Sequence, residues 1–223
     1  MSIFDLEDLH MPEKQEKRTK NPLTRIHRHN RKKKRRAVIG QRRQRCVEIV
    51  GDIQKDMAVT VISAGEWSVH DMLIHALDFT GPAECWIATW GGWESGLRPL
   101  VEAKRSGLIT SLNILTDERT RLNGDAFAQY AAANCDRFKC GQCHAKVFTL
   151  INDKWGVVIL SSANLNTSPR LEGHCIDEDL DLAQFHKTWI GQAIKNKGPK
   201  ALRGTEEGGF GRWNMDQEFL NDE

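Results

Sequence analysis

The chain has 223 residues, of which 39% are hydrophobic and 28% are charged, a balance typical of a globular protein with one sizeable core. No apolar run approaches the ~20 residues of a membrane-spanning helix, and the polar N-terminus lacks the apolar stretch of a secretory signal. Composition therefore argues against an integral membrane or secreted protein. It predicts a cytoplasmic protein in which the six cysteines stay reduced.

The formal net charge of +2 conceals a strong asymmetry between the start of the chain and the rest. Residues 13–45 hold fifteen lysines and arginines against two glutamates, whereas residues 46–223 carry a net charge of −8. The densest run is Arg31, Lys32, Lys33, Lys34, Arg35 and Arg36. Basic side chains that meet phosphates release counterions, and like charges at this density keep a free chain extended. We therefore predict that residues 1–45 are an acidic-then-basic extension that binds DNA or RNA. An acidic protein would also bind such a segment, and a solvated or targeting tail is a further alternative.

Beyond this extension, hydrophobic periodicity predicts alternating strands and helices. In chain order these are a strand at 58–63, a helix capped by Ser68, a strand at 83–90, a helix at 94–107, a strand at 108–115, a helix at 118–134, strands at 144–151 and 155–162, and a helix at 182–194. Such alternation implies an α/β fold with a mostly parallel sheet and helices on both faces. The short turn at 152–154 adds a hairpin, which makes the sheet mixed. The predicted domain is residues 46–195, followed by a poorly packed tail at 196–223, and residues 2–9 are predicted to form a short amphipathic helix.

The predicted strand at 144–151 opens with two polar residues that a buried hairpin rarely contains. Side chains two residues apart on a strand project from the same face, so His144 and Lys146 are expected to lie together. A lysine in this position needs an anionic partner. The pair suits a phosphodiester, because the lysine can hold phosphate oxygens while the neutral imidazole attacks phosphorus.

The second strand of the hairpin ends in polar residues with the same spacing. Ser162 and Asn164 offer a hydroxyl and an amide, both of which bind phosphate oxygens. Glu172 lies on the predicted loop that follows, where its carboxylate is expected to orient the far nitrogen of a catalytic histidine.

The sequence His-Ala-Lys, followed by Ser-Ser-Ala-Asn and Arg-Leu-Glu, resembles the motif of the phospholipase D superfamily. That motif is His-x-Lys-x4-Asp, then Gly-Ser-x-Asn, then a glutamate. The resemblance is clearest over residues 140–195, and it implies a phospholipase D-like fold and a metal-independent phosphodiesterase that needs no cofactor. By resemblance, the catalytic residues are His144, Lys146, Ser162, Asn164 and Glu172.

Two positions depart from that motif. The motif aspartate falls at Ile151, with Asp153 the nearest carboxylate, and the motif glycine is Ser161. The missing aspartate leaves open an alternative, a catalytically inactive phospholipase D-like protein that only binds nucleic acid.

The chain contains one such motif, whereas phosphodiester transfer in this family uses two histidines. His70 and His75 lie on a predicted helix without a following lysine and are predicted to be structural. A single motif resembles the nuclease branch, in which two identical chains supply one motif each. We therefore predict a nuclease that acts through a phosphohistidine intermediate in a site shared by a homodimer.

A cysteine cluster supports a competing hypothesis. Cys-x2-Cys is half of a common zinc site, and the x4 and x2 spacings also resemble iron–sulfur ligation. The candidate ligands are Cys135, Cys140, Cys143 and Cys175, with His174 as a further option. The sequence lacks a second Cys-x2-Cys pair, so we predict no metal, with a structural zinc beside the approach to His144 as the alternative.

Overall fold

The computed structural model describes residues 34–39, 46–65, 67–122, 126–167 and 169–195, with only the backbone described at 34–39 and 121–122. These residues contain eight strands and six helices. The strands are β1 (Lys34–Ile39), β2 (Met57–Ser63), β3 (Ala83–Thr89), β4 (Ile109–Asp117), β5 (Arg137–Gly141), β6 (Val147–Ile151), β7 (Gly156–Ser161) and β8 (Glu172–Glu178). The helices are α1 (Cys46–Val50), α2 (Val69–Thr80), α3 (Glu94–Arg105), α4 (Glu118–Leu122), α5 (Ala126–Asn134) and α6 (Leu180–Lys195).

The strands form one mixed sheet in the order β1-β2-β8-β7-β6-β3-β4-β5. Strands β6 and β8 run against the other six described strands, so four of the seven neighbouring pairs are antiparallel. The predicted α/β class and mixed sheet are confirmed. Most of the described strands point in the same direction, as a mostly parallel sheet predicts. Most neighbouring pairs are nevertheless antiparallel, because β8, β7 and β6 are inserted between β2 and β3.

Helices cover both faces of the sheet, as predicted. Alternate strand residues such as Val59, Ile87 and Phe148 are fully buried in the core that the sheet forms with α1, α2, α3 and α5. Helix α6 packs on the other face, where a Cβ atom at Gly191 would come within 3.3 Å of the Trp86 ring. Burying a large apolar side chain contributes about 1.5–3 kcal/mol, so the two layers hold the strand ends in fixed positions.

Local signals explain where α2 begins and ends. Ser68 precedes the helix, and its backbone N–H donates to the Asp71 carboxylate at 2.7 Å, as in a capping box. At the other end Gly81 has φ +65°, which glycine adopts without strain, and its N–H donates to the carbonyl of Leu77 at 2.9 Å. The caps set the first turn of α2 close after the end of β2.

The predicted hairpin is confirmed, but its first strand is shorter than predicted. Strands β6 and β7 pair antiparallel, and the N–H of Asn152 donates to the carbonyl of Trp155 at 3.0 Å to close the turn. Strand β6 begins at Val147, so the prediction that His144 and Lys146 lie on the strand is wrong. Both residues lie in the irregular segment that precedes it.

Periodicity does not predict three of the described strands, β1, β5 and β8. Strand β5 is an outer strand of polar sequence, and β8 has one large aliphatic residue, Ile176. Burial along β8 alternates nonetheless, because His174, Ile176 and Glu178 face the core. Glu172 is therefore the first residue of a strand, not part of the predicted loop. The predicted helix at 118–134 corresponds to α4 and α5, between which residues 123–125 lie outside the described part.

Strand β1 lies within the predicted basic extension. Its residues pair in parallel with β2, so the sheet begins before Cys46, the predicted start of the domain. Residues 1–33 and 196–223, which include the predicted terminal helix, half of the densest basic run and the tail, lie outside the described residues. Of the described helices, none is long and apolar enough to cross a membrane.

Candidate functional site

The motif residues gather at one edge of the sheet. The carboxyl ends of β2, β3 and β7 meet the amino ends of β6 and β8 there, because β6 and β8 run in the opposite direction. We call this the motif edge; it comprises residues 63, 89–93, 144–146, 161–166 and 172–174. The fold thus brings together residues that lie more than 100 positions apart in sequence.

His144 and Lys146 are held next to each other by a backbone contact. The Lys146 ammonium donates to the carbonyl of His144 at 3.2 Å, and the Lys146 carbonyl accepts the N–H of Ser161 at 3.1 Å, which continues the β6–β7 pairing. The His144 side chain is exposed, and its ring lies 5.9 Å from the ring of Trp90. The predicted proximity therefore arises from this contact and not from a shared strand face.

Ser162 and Glu172 are joined directly across the end of β7 and β8. The Ser162 hydroxyl donates to the Glu172 carboxylate and accepts the N–H of Gly173 at 3.0 Å. Glu172 thereby fixes the serine beside the lysine segment. Among the described residues the Glu172 carboxylate bonds to Ser162. The contact of Glu172 with His144 therefore stays a prediction.

Asn164 presents a buried acceptor in the loop after β7. Its side-chain oxygen is buried and has no hydrogen-bond partner among the described residues. Leaving such an acceptor unpaired costs about 1–3 kcal/mol. The loop itself is fixed, because the carbonyl of Leu165 accepts the N–H of Trp93 at 3.0 Å.

His174 is a buried member of the motif edge that sequence reasoning considered only as a zinc ligand. Its Nε2 lies 3.0 Å from the Ser63 hydroxyl and its Nδ1 lies 3.0 Å from the Ser161 hydroxyl. The Trp67 ring packs over it at 5.5 Å. Burial lowers the pKa of His174 to about 4, and the nearby Glu172 only partly opposes this effect. The imidazole is therefore neutral at pH 7.

The three side chains form a hydrogen-bonded chain with His174 in the middle. The Ser161 hydroxyl accepts the N–H of Ala163 at 2.8 Å and also bonds to Nδ1 of His174. Of the two ring nitrogens of the neutral imidazole, one donates to its serine and the other accepts from its serine. Ser161, which stands where the motif has glycine, thus ties the loop that carries Ser162 to a buried histidine. The sequence signal was present, since His174 follows Glu172 by two residues, the spacing of one strand face.

The missing motif aspartate lies far from this edge. Ile151 is buried at the other end of β6, roughly 13 Å from Val147 at about 3.3 Å per residue. Asp153 is exposed in the turn beyond it. A side chain at either position is too distant to touch a phosphate held by Lys146, so the departure leaves the site itself unaltered.

The candidate cysteine ligands are not brought together. Cys140 lies on β5 and Cys175 on β8, five strand spacings apart, or roughly 24 Å at about 4.8 Å each. Burial raises the pKa of Cys135 to about 12 and also raises the pKa of Cys143, which disfavours the thiolate form that zinc needs. Within the described ranges, no three histidine, cysteine or acidic side chains cluster as metal ligands.

The two helical histidines have structural contacts. His70 bonds to Ser68 at the start of α2 and lies 3.6 Å from Asp71, and burial lowers its pKa although Asp71 opposes the shift. The Nε2 of His75 lies 2.8 Å from the carbonyl of Gly51. The His75 contact ties α2 to the segment after α1, and the His70 contacts lie at the start of α2 itself, in keeping with the predicted structural role.

No protein-family model matches the chain, and no curated protein matches it. Its chemistry is therefore inferred from the motif and from the arrangement of the side chains at the motif edge.

Proposed function

We propose that the protein is a metal-independent phosphodiesterase of the phospholipase D type that acts on nucleic acid. The observation that carries the proposal is the convergence of the five motif residues on one edge of the sheet. Lys146 adjoins His144, Ser162 is held by Glu172, and Asn164 lies in the loop that follows Ser162. The lysine ammonium and the N–H groups of the asparagine amide are donors for phosphate oxygens beside an exposed imidazole, which suits a phosphodiester.

In the proposed reaction, a ring nitrogen of His144 attacks phosphorus. A P–N bond forms while the P–O bond to the leaving nucleotide breaks, and a second histidine donates its proton to the departing oxygen. That histidine then removes a proton from water, whose oxygen attacks phosphorus and releases His144. Lys146 offsets the charge that develops on the phosphate oxygens.

The second histidine is proposed to come from a second copy of the chain. The described part of the chain has one histidine with the motif lysine, and the exposure of His144 leaves its ring accessible to another molecule. A two-fold axis through the motif edge would place the same residue of each copy at one phosphate.

Mixing tests this arrangement. Wild type combined with an excess of His144→Ala forms heterodimers that hold one histidine each, so activity should fall well below the wild-type fraction. Activity that stays proportional to wild-type chains, or a monomer by light scattering at working concentration, contradicts the shared site.

Nucleic acid is the proposed substrate because of the basic segment at 13–45. The body of the chain is acidic and repels a polyanion, so the basic segment must supply most of the affinity. Deleting residues 13–33 should flatten the dependence of log affinity on log salt, by about 0.7–0.9 for each phosphate no longer neutralised. An unchanged salt slope, measured by fluorescence anisotropy, contradicts this role.

Incubation of labelled DNA and RNA in EDTA tests the chemistry. Wild type should cleave in EDTA, and His144→Ala should lose cleavage while keeping the melting temperature, because the side chain is exposed. Lys55→Met, which alters a lysine at the other end of the sheet, is the control and should cleave normally. Cleavage that requires added magnesium and survives His144→Ala would remove the proposal.

A nucleic-acid-binding protein without turnover is the second candidate. It is favoured by one observation: among the described residues the Glu172 carboxylate bonds to Ser162 and not to His144, which the motif implies it should orient. The same experiment separates the two functions. Tight, salt-dependent binding without cleavage by wild type supports the second.

A further inference from the structure

The loop between β3 and α3 carries two tryptophans beside the motif histidine. It reads Trp90-Gly91-Gly92-Trp93. The Trp90 ring lies 5.9 Å from the ring of His144, and Trp93 is 56% exposed. In the described residues, the Trp93 ring has neither a ring partner nor a cation partner. An indole face is thus open to solvent within one loop of the site.

This loop is held rigidly against the loop that carries Asn164. Trp93 donates its backbone N–H to the carbonyl of Leu165, and Gly92 pairs with Leu165 in an isolated bridge. A Cβ atom at Gly92 would approach the Phe127 ring to 2.8 Å, and one at Gly96 would approach the carbonyl of Leu165 to 2.7 Å. Only glycine fits at these two positions. The Trp93 backbone is therefore fixed although its side chain is exposed.

We infer that Trp93, in the same loop as Trp90, is a stacking surface for an unpaired nucleobase, so that the substrate is single-stranded nucleic acid. This inference rests on the proposed action on nucleic acid. A phosphate held by Lys146 and His144 would place an adjoining nucleotide beside this loop, because the Trp90 ring lies 5.9 Å from the His144 ring. Stacking on aromatic side chains accepts any base, because every base has a π-face, and it adds to phosphate binding.

A duplex fits this arrangement poorly. Its bases are stacked on one another, so their faces are closed to a protein side chain until a nucleotide is unpaired. Single strands and loops present those faces freely. The rigid loop means that the stacking surface exists before substrate arrives, which reduces the entropy lost on binding.

The test compares oligonucleotides that share a backbone but differ in their bases. The probes are a labelled single strand, the same strand with an abasic stretch, and the matching duplex, all in EDTA. Wild type should prefer the single strand to both others. Trp93→Ala should raise KM for the single strand about tenfold and leave KM for the abasic strand unchanged, while Trp93→Phe keeps most of the preference.

Leu171→Ala is the matched control, because Leu171 is 75% exposed next to Glu172 but has no aromatic face. It should leave the preference for bases unchanged. The same variants in a His144→Ala background, measured by anisotropy, give the result for binding alone. A base preference that Trp93→Ala removes would support the stacking surface even if wild type cleaved nothing.

Two results would overturn the inference. In the first, Trp93→Ala weakens the binding of the single-stranded, abasic and duplex probes equally. In the second, it changes the oligomeric state in light scattering without changing the preference for bases, which would assign Trp93 to contact with a second copy.

Discussion

The two edges of the sheet use the same residue types in opposite ways. We call the end of the sheet away from the motif edge the far edge, and it includes Lys55, Asn152, Trp155 and Glu178. There Lys55 lies 3.0 Å from Glu178 and stacks over the Trp155 ring at 3.8 Å. The side-chain nitrogen of Asn152 donates to two backbone carbonyls at 2.9 and 3.0 Å. Polar groups at the far edge are satisfied by the protein itself.

At the motif edge, side chains of the same residue types make fewer hydrogen bonds within the protein. Lys146 donates to a single backbone carbonyl, and the Asn164 oxygen is buried without a partner among the described residues. Glu172 holds a serine, whereas Glu178 is bonded to both a lysine and a backbone N–H. The polar groups named at the far edge are thus satisfied within the protein, whereas the unpaired Asn164 oxygen at the motif edge lowers stability.

The lysines should give the largest contrast. Lys146→Met is expected to lower kcat/KM about 10³-fold, because the cation that offsets phosphate charge is lost, with little change in melting temperature. Lys55→Met should leave kcat/KM within about twofold, because its contacts belong to the far edge. Steady-state kinetics in EDTA and thermal unfolding of both variants check the contrast. Equal losses of activity would erase the distinction between the edges.

The buried histidine should make stability depend on pH. His174 has a pKa of about 4 in the folded state and about 6.5 when unfolded. Between these values the unfolded chain binds a proton that the native protein does not, so stability is full above pH 6.5 and falls as the pH drops. The loss should approach roughly 3 kcal/mol at pH 4.

Urea unfolding of His174→Gln at pH 7 and pH 4.5 measures this contribution. The variant should show a smaller difference between the two pH values than wild type. His144→Ala serves as the comparison and should retain the wild-type difference, because His174 is still present. If His174→Gln keeps the full difference, other groups carry the acid sensitivity.

Substitution of the two asparagines should give the smallest changes in stability, and the two changes should have opposite signs. Asn164→Ala removes a buried acceptor that lacks a partner, so it should stabilise the protein by about 0.5–1 kcal/mol while lowering activity. Asn152→Ala breaks two bonds to backbone carbonyls and should destabilise by about 1–2 kcal/mol with activity intact. Chemical unfolding and the EDTA assay check both. Destabilisation by Asn164→Ala would mean that its oxygen is satisfied in solution.

The sequence predicts the parts of this fold whose apolar residues repeat with a clear period. Strand β3, helix α3 and the β6–β7 hairpin follow that rule, and their bounds are correct to within three residues. Strand β8 breaks it, because its inward positions include His174 and Glu178, which periodicity treats as polar and exposed. The burial of a polar residue can be recognised only once the residues that bond to it are known.

The candidate site divides in the same way. The motif spacing identified His144, Lys146, Ser162, Asn164 and Glu172, and the fold brings them to one edge. The contacts of His174 with Ser63 and Ser161 could not be predicted from the sequence. They join three strands and depend on a register between residues as many as 111 positions apart. Register is set by the packing of the whole sheet and has no local signature.

Strand β1 also acts as a spacer. It runs parallel to β2, so it begins with Lys34 at the far edge and ends with Ile39 on the side of the motif edge. Its six residues extend for roughly 20 Å, the rise of about six stacked nucleotides of one strand. Lys34, the first residue of β1, and the motif edge are thus separated by a fixed minimum length. If the proposed function holds, an oligonucleotide of three or four residues is too short to reach from Lys34 to Lys146, and only a longer strand would contact both.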